Sequence, residues 1–435
     1  MKKIVALLLA LALVLSMSSA LAYSPEAPIT IKFWHNRGSG AQETTVKGQV
    51  AAFNETVGKE LGIVVEETYI GAYGDLLTKM QLAVQSNEQP AVSVLGNTRV
   101  VLYNDDGILE DMAPYAAKSG FDTANLFDAF MTVPGNTDGS LYSLPYLKST
   151  PVLYYNKGMA DEKGLTAPTT MEDFEAFCKA LHTVDANGEV VTWGFESLKD
   201  FFYYQLYFMY QLGSGLWNEE GTASPALEDG NALKVIADWD RWVEEGWCRP
   251  YDSTNASATV QEMFYQGKVA AFWASCSSLS NVIKYCAEAG VELGIAYMPT
   301  YDVEKNTVAI GGGQIGLIGM NNSEEIKQAG WEFINFLMSD DQVAYNAINS
   351  GYLPTTKSVS DNEAMKGFWA ENPLYKVAYD QLAWGTCQEY PYFLGNNELN
   401  VNIHAVLDAV IQEQTLSAED AVAQIWEDNK HLFEN

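Results

Sequence analysis

Residues 141–156 decide how this chain is organised: LYSLPYLKSTPVLYYN. Two apolar runs flank a short polar step made of Lys148, Ser149 and Thr150. Pro145 and Pro151 each fix φ and remove a backbone donor, so neither half forms a long helix or a central strand throughout. Two interpretations fit these residues. The stretch is either an extended segment that passes between two lobes and shows its polar step to a cleft, or a strand, a loop and a second core strand.

The start of the chain predicts export. Residues 1–22 carry two lysines, an apolar run over 4–15 and small residues before Tyr23. This layout is typical of a secretory signal peptide cleaved before Tyr23, and the apolar run is too short for a membrane span. No cysteine stands at the cleavage site, so we expect no lipoprotein anchor. The prediction is a periplasmic protein, with free secretion as the alternative.

Composition excludes several classes of partner. The 435 residues, 48% of them hydrophobic, allow two to three domains with an ordinary core. Lys and Arg number 25 against 56 Asp and Glu, a net charge of −31. Such a charge argues against nucleic acid and anionic membrane surfaces as partners. Five cysteines are too few for a disulfide scaffold; Cys276 and Cys286 are the closest pair, and a disulfide between them stays open.

Polar residues follow three predicted strands near the start of the mature chain. The alternation in 29–34, ITIKFW, predicts a strand, and His35 and Arg37 come directly after it. Strands over 63–70 and 91–95 are followed by Tyr73 and Asn97. Open α/β sheets bind ligands at the carboxyl ends of their strands, so these residues are predicted to form one rim of a site. For Arg37 a solvated loop is the alternative.

A second block extends from about residue 150 to 301. Residues 201–210, FFYYQLYFMY, are mostly core, because a helix that is aromatic all round is buried, but one or two residues near its start suit a cleft. Residues 271–280, AFWASCSSLS, pass from an apolar strand to a serine turn. Those hydroxyls suit either a helix cap or a neutral ligand.

The glycines in 310–319, IGGGQIGLIG, fit G-x-G-x-x-G literally. We reject a dinucleotide site, because an apolar strand continues after the glycines and the next helix begins only after residue 322. Close backbone approach, or a strand that crosses between lobes, explains these glycines better. Residues 351–356, GYLPTT, form a second crossover-like step. Lobes joined more than once make a hinge that closes around a ligand.

Several motifs together resemble the carbohydrate-type group of extracellular solute-binding proteins of ABC importers, and most of all its members that bind glycerol 3-phosphate. The motifs are ITIKFWH (29–35), STPVLYYNK (149–157), IGGG (310–313), SGYLPTT (350–356) and LGN (394–396). The resemblance spans essentially the whole mature chain. It implies an α/β, two-lobed periplasmic-binding-protein fold with a hinge of several crossing segments and a ligand cleft between the lobes. The predicted lobes are 23–136 plus 302–349 and 137–301 plus 350–435.

The resemblance also implies ligand contacts, and five positions agree with the family in residue type: Tyr73, Ser149, Ser275, Gly312 and Tyr352. Three positions depart from it. Asn97 stands where the family member has a glutamate for the glycerol hydroxyls, and Lys199 and Phe202 stand where it has two tryptophans. Phe393 stands where an arginine pairs with the phosphate.

The loss of that arginine favours an uncharged ligand. Phe393 offers no donor, and a desolvated phosphate without its cation costs several kcal/mol. The prediction is therefore a small neutral carbohydrate or polyol, captured by lobe closure, packed on aromatic faces and delivered to the transmembrane subunits of an ABC permease. Glycerol 3-phosphate or a glycerophosphodiester is the alternative, with Arg37 or Lys199 as the cation. We expect a monomer with no cofactor.

Two other classes of function were weighed. An exported glycosidase is possible in principle, because the spacing of two catalytic carboxylates depends on the fold and not on the sequence. No hydrolase, zinc-protease, C-x-x-C or Walker motif is present, and the four histidines are too scattered to predict a metal site. A surface adhesion module would show repeats, and none is visible. The interpretation as a binding protein and not an enzyme is favoured.

Overall fold

The computed structural model describes residues 23–132, 136, 139–218, 221–251, 256–389 and 395–433. The predicted signal peptide and Phe393 lie outside these ranges. Within them, no helix is long and apolar enough to cross a membrane. All five cysteines are free thiols, so Cys276 and Cys286 are not bonded to each other.

Strands occur in both halves of the chain. They are β1 (Ile29–His35), β2 (Ile63–Tyr69), β3 (Val92–Gly96), β4 (Leu144–Ser149), β5 (Pro151–Asn156), β6 (Thr183–Val184), β7 (Val190–Thr192), β8 (Phe195–Glu196), β9 (Cys248–Arg249), β10 (Ala271–Ser275), β11 (Leu293–Ala296), β12 (Thr307–Leu317) and β13 (Thr386–Glu389).

Helices cover the sheets. They are α1 (Gly40–Glu55), α2 (Val57–Leu61), α3 (Tyr73–Ser86), α4 (Val100–Asp105), α5 (Ala113–Ser119), α6 (Lys157–Glu162), α7 (Met171–Leu181), α8 (Phe201–Tyr204), α9 (Leu206–Leu212), α10 (Pro225–Glu228), α11 (Asn231–Glu244), α12 (Ala256–Tyr265), α13 (Leu279–Ala289), α14 (Glu324–Leu337), α15 (Asp340–Ser350), α16 (Glu363–Glu371), α17 (Pro373–Gln381), α18 (Asn396–Leu407) and α19 (Ala418–Asn429).

The strands form two mixed sheets. The first has the order β13-β12-β3-β1-β2, with β4 also paired to β12. In it β1 is parallel to both β2 and β3, so the carboxyl ends of these three strands lie at one edge. The second sheet has the order β11-β5-β10-β8-β9. Strand β3, VSVLG, is apolar almost throughout and fully buried, as expected for a strand covered on both faces.

Each sheet has its own hydrophobic core. The first core contains Phe33, Leu95 and Trp331, and the second contains Leu153 and Trp273, all at most 1% exposed. Two cores of this size define two lobes. The predicted lobed α/β architecture is therefore confirmed.

Three segments cross between the lobes. Strands β4 and β5 belong to different sheets and are separated only by Thr150, so the opening stretch is an interlobe crossing as predicted. Strand β12 packs in the second core from Val308 to Ile310 and in the first core at Ile315 and Leu317. Tyr352 packs in the first core and the next residue, Leu353, in the second.

The three predicted limits between the lobes each fall some residues too early. The second lobe was predicted to begin at residue 137, whereas Leu141, Leu144 and Leu147 pack in the first core. The apolar run before the polar step completes the first sheet through β4, so the first crossing falls at Thr150. Ile310 still packs in the second core, beyond the predicted limit at 302, and Tyr352 still packs in the first core, beyond the predicted limit at 349.

The crossing segments are tied to one another at β4. Gly312 has a φ of +104°, and a Cβ atom there would lie 1.8 Å from the Leu147 carbonyl oxygen. Only glycine lets β12 approach β4 this closely. The Leu353 amide donates to the Lys148 carbonyl at 2.7 Å, which joins the third crossing to the same point. These contacts form the hinge.

Candidate functional site

A cleft of about 360 Å³ lies between the lobes at the hinge. Eight of the ten predicted site residues line it: Arg37, Tyr73, Asn97, Ser149, Phe202, Ser275, Gly312 and Tyr352. His35 does not line it, and Phe393 lies outside the described residues. Their roles in binding stay a prediction, but the sequence analysis selected residues that the fold brings together.

The first lobe supplies what we call the first wall, which follows the carboxyl ends of the first sheet: Asn36, Arg37, Tyr73, Asn97 and Arg99. Arg37 is only 7% exposed. Its guanidinium donates to Gln42 Oε1 at 2.7 Å and to the Tyr73 hydroxyl at 3.3 Å, and it lies 4.5 Å from the centre of the Tyr352 ring. A stacked and hydrogen-bonded guanidinium holds one orientation.

His35 was predicted to face the cleft, and this prediction is wrong. Strand β1 continues through His35, whose fully buried ring lies 2.7 Å from Glu67 and accepts from the Arg37 amide at Nδ1, 3.1 Å away. Because Nδ1 accepts, Nε2 carries the proton and donates to the carboxylate. Burial lowers the pKa of His35 below 6.5, although Glu67 opposes the shift. His35 thus fixes the backbone that places Arg37.

Two of the four arginines of the chain line the cleft. The chain has only four arginines, and two of them are in ion pairs, Arg241 with Glu175 and Arg249 with Glu196. The other two, Arg37 and Arg99, line the cleft, and neither has a carboxylate partner among the described residues. In a protein of net charge −31, these two arginines give the cleft a local positive charge.

The second lobe supplies the second wall: Asp200, Phe202, Tyr203, Ser275, Ser277 and Asn400. Hydroxyl groups run along it from the hinge and form what we call the hydroxyl row. The Tyr203 hydroxyl lies 2.9 Å from Ser149 Oγ and 3.3 Å from Ser275 Oγ, which in turn lies 2.9 Å from Ser277 Oγ. Each hydroxyl both donates and accepts, so the row adapts to a ligand by rotating its protons.

Burial keeps Tyr203 protonated, because it raises the pKa of the phenol well above 10. Gly311 makes room for this ring: a Cβ atom there would lie 2.3 Å from it. Asp200 caps α8 by accepting from the Tyr203 amide. The Asp200 side chain is exposed to the cleft. The protein around it still reduces its contact with water, and this desolvation raises the pKa of Asp200 to about 6.

Aromatic surface and one interlobe hydrogen bond complete the cleft. Phe202 is 3% exposed and packs edge-on against Trp217, with ring centres 5.4 Å apart. Gln42, on α1 of the first lobe, accepts from Arg37 and donates through Nε2 to the Ser277 carbonyl of the second lobe at 3.0 Å. Gln42 therefore joins the two walls across the cleft mouth.

Lys199, proposed as an alternative cation, is occupied elsewhere. Its ammonium group lies 2.6 Å from Asp408, and it does not line the cleft. Within the described residues, no group of three or more His, Cys, Asp or Glu is arranged to hold a metal ion.

Several lining residues were missed by the sequence analysis. Asn36 and Arg99 stand within a few residues of predicted strand ends, so the same rule that selected Arg37 and Asn97 applies to them. Tyr203 was hidden among seven aromatics, and its neighbours in the run are core residues. Asn400 lies within α18 with no local signal, and only the tertiary structure brings it to the cleft.

Residues 48–377 match the family described as bacterial extracellular solute-binding protein. A glycerol-3-phosphate-binding periplasmic protein, UgpB of Rhizobium meliloti, is 26% identical over 379 residues, covering 81% of each chain. A putative binding protein of Brucella abortus is 26% identical over 308 residues, covering 68% of this chain and 69% of the relative.

Two solved structures share the fold. UgpB of Mycobacterium tuberculosis, in complex with glycerophosphocholine, superposes with a TM-score of 0.80 at 21% identity and covers 93% of this chain and 98% of that one. The sugar-binding protein MalE of Xanthomonas citri gives 0.76 at 21% identity, covering 93% and 97%. The chain belongs to the family of bacterial extracellular solute-binding proteins. It is a binding protein and not an enzyme, and it acts outside the cytoplasm as the solute-binding part of an ABC importer.

Proposed function

We propose that this protein captures a small neutral carbohydrate or polyol by closing its lobes and delivers it to a membrane permease. The hydroxyl row carries the proposal. Ser149, Tyr203 and Ser275 present neutral groups that donate and accept at the base of the cleft. A sugar hydroxyl also donates and accepts, so it joins such a row without leaving an unpaired charge.

The aromatic residues of the cleft support the same ligand class. Tyr73 and Phe202 line opposite walls, and Tyr352 lies at the hinge between them. The apolar faces of a sugar ring pack against aromatic rings, while the ring edges carry the hydroxyls. The cleft offers both surfaces at once.

Closure requires a ligand that contacts both walls more favourably when the lobes are together. The hydrogen bond from Gln42 to the Ser277 carbonyl already spans the lobes, but one neutral hydrogen bond contributes only about 0.5–1.5 kcal/mol. Ligand contacts from the first wall and the hydroxyl row supply the rest. We propose that the closed form, acting as a monomer, docks on the transmembrane subunits of the permease.

A second candidate is glycerol 3-phosphate or a glycerophosphodiester. Arg37 and Arg99 favour it, because guanidinium groups pair with phosphate in a bidentate way and these two have no carboxylate partner among the described residues. The similarity to proteins named for glycerol 3-phosphate supports it as well. The predicted substitution of the phosphate arginine by Phe393 counts against it.

A matched panel separates the candidates. We would measure thermal shifts and calorimetric affinities for glycerol against glycerol 3-phosphate, glucose against glucose 6-phosphate, maltose, and glycerophosphocholine, because a ligand that binds only the folded state raises the melting temperature. Binding of glucose, maltose or glycerol above their phosphorylated partners supports the first candidate, and the reverse order supports the second. Binding by no member would contradict both.

Tyr203→Phe tests the site itself. Removing the middle hydroxyl breaks two hydrogen bonds of the row, and we expect affinity for the best ligand of the panel to fall about tenfold, the equivalent of about 1.4 kcal/mol. Tyr285→Phe, which removes a hydroxyl from an exposed tyrosine, is the matched control. Equal affinities for the two variants would show that the row does not contact the ligand.

A further inference from the structure

Lys148 is a charged residue buried completely beside the cleft. It lies on β4, two residues before the first interlobe crossing, with 0% of its surface exposed. Its ammonium group pairs with Glu389 of β13 and lies 5.7 Å from the centre of the Phe130 ring. In the amide orientation that satisfies its neighbours, Gln314 also accepts from Lys148 Nζ, at 2.7 Å. The ammonium therefore has partners on several sides.

One further partner of Lys148 is a cleft residue. Lys148 Nζ donates to Asn97 Oδ1 at 3.2 Å. An ammonium group has three donors and no lone pair, so the side of the Asn97 amide that faces it must be the oxygen. The other side is the amide nitrogen. Asn97 lines the cleft, and its Nδ2 has no hydrogen-bond partner among the described residues.

We propose that Lys148 is a positioning residue that fixes Asn97 as a hydrogen-bond donor toward the solute. The solute must then present an acceptor oxygen at this point, such as a hydroxyl, ether, carboxylate or phosphoryl oxygen. A solute with an ammonium group here is disfavoured, because Nδ2 offers it a donor and no acceptor, and the nearby cleft residue Arg37 repels a cation. This inference rests on the proposed function and adds the polarity of one ligand contact to it.

The cost of the buried pair supports a role beyond stability. Replacing a buried ion pair by well-packed apolar residues is often neutral or stabilising, so such a pair is weak evidence for a stabilising role. Apolar side chains in place of Lys148 and Glu389 would remove both buried charges, but they would leave the Asn97 amide free to turn.

The first test needs no ligand. In protein labelled with ¹⁵N-asparagine, the Asn97→Asp variant identifies the Asn97 side-chain signals by their loss. We expect the Nδ2 protons of the wild type to exchange with solvent within tenfold of the rate of a free asparagine amide, because Asn97, although only 9% exposed, lines the cleft. Protection by tenfold or more would show that Nδ2 is bonded within the protein, and would overturn the proposal.

The second test is a double-mutant cycle on affinity for the best ligand among maltose, glucose, glycerol 3-phosphate and glycerophosphocholine. We expect Asn97→Ala to weaken binding about tenfold in the wild type and threefold or less in the Lys148→Met/Glu389→Met background, where the amide is no longer oriented. Equal losses in both backgrounds would show that Lys148 does not act through Asn97. A merely structural effect of Lys148 lowers stability but leaves the two losses equal.

The two proposals fail separately. If no member of the panel binds the wild type, the proposed function is wrong, while the exchange measurement still decides whether Asn97 Nδ2 is left unbonded within the protein. If Lys148→Met/Glu389→Met does not fold, Asn97→Asp replaces the cycle. That variant keeps an acceptor for Lys148 but loses the donor, so we expect it to bind as weakly as Asn97→Ala. Wild-type affinity in Asn97→Asp would overturn the proposal.

Discussion

The first wall of the cleft is rigid and carries two arginines, whereas the second wall carries the carboxyl group of Asp200 and an adaptable row of hydroxyl groups. Arg37 is fixed by Gln42, by Tyr73 and by stacking on Tyr352, and Asn97 is fixed by Lys148. The hydroxyl row of the second wall has no fixed polarity, since each of its protons rotates. We infer that the two walls recognise different parts of the solute. The first wall binds an acceptor oxygen in one orientation, and the second wall binds hydroxyl groups in several arrangements.

The histidines that lie behind the two walls also differ in their hydrogen bonding. Behind the first wall, His35 is hydrogen-bonded on both ring nitrogens, to Glu67 and to the Arg37 amide. On the second-wall helix α18, His404 lies one turn from Asn400 and its buried Nε2 has no partner among the described residues. The first wall also contains buried polar atoms without a partner among the described residues, Asn36 Oδ1 and Arg37 Nε, so in this respect the walls differ only in the histidine behind them. Because His404 Nε2 lacks the partner that His35 Nε2 has in Glu67, we expect the second wall to be the more sensitive to acid.

The largest effect is expected at the buried pair behind the first wall. Lys148→Met leaves Glu389 uncompensated, and we predict a loss of about 3–5 kcal/mol in the free energy of unfolding, measured by urea denaturation. The double variant Lys148→Met/Glu389→Met should recover most of this loss, because no buried charge remains. A single variant as stable as the wild type would show that the first wall is not held by charge.

An intermediate effect is expected from acid on the second wall. Burial, with a further contribution from Lys199, lowers the pKa of His404 to about 4, while Asp408 opposes the shift. The unfolded state gains a proton near pH 6.5 and the folded state only near 4, so the stability from a neutral His404 is complete above pH 6.5 and is lost as the pH falls toward 4. We predict that unfolding at pH 5 costs about 1–2 kcal/mol less than at pH 7 for this reason.

The variant His404→Leu isolates this contribution. It should remove that part of the difference between urea denaturation at pH 7 and at pH 5, because leucine does not titrate. His431→Leu is the control, since His431 is exposed. If the His404 variant keeps the full pH dependence, another group is responsible, and the walls do not differ in the way proposed.

The smallest effect concerns the contact between the walls. Gln42→Ala removes the hydrogen bond to the Ser277 carbonyl, so we expect the closed form to lose about 0.5–1 kcal/mol and the ligand to dissociate roughly two to five times faster. Stopped-flow fluorescence with the best ligand measures this rate. Gln81→Ala, at an exposed site on α3, is the control. An unchanged rate would mean that the ligand alone holds the walls together.

The sequence predicted the hinge well because its signals are local. Prolines on either side of Ser149 and Thr150 exclude helix, and the glycines before Gln314 indicate a strand that allows close backbone approach. Strand alternation and the rule for strand ends found much of the first wall. The same rule failed at His35, because the strand is one residue longer than its apolar pattern suggests.

The second wall was harder to predict for a physical reason. Its residues come from α8, β10 and α18, which are far apart in the chain and meet only after the second lobe packs. A tyrosine in an aromatic run is equally suited to core and cleft, so Tyr203 could not be separated from Tyr204 without the fold. The link from Lys148 to Asn97 is likewise a contact between distant segments.

The contact of Gly312 with the Leu147 carbonyl has a practical consequence for engineering this protein as a sensor. Any larger residue at position 312 collides with main-chain atoms, which cannot rotate out of the way as a side chain does. Randomised libraries aimed at new solutes should therefore vary the walls and leave this position untouched. The ligand specificity can then be changed while the hinge contacts needed for the proposed lobe closure are kept.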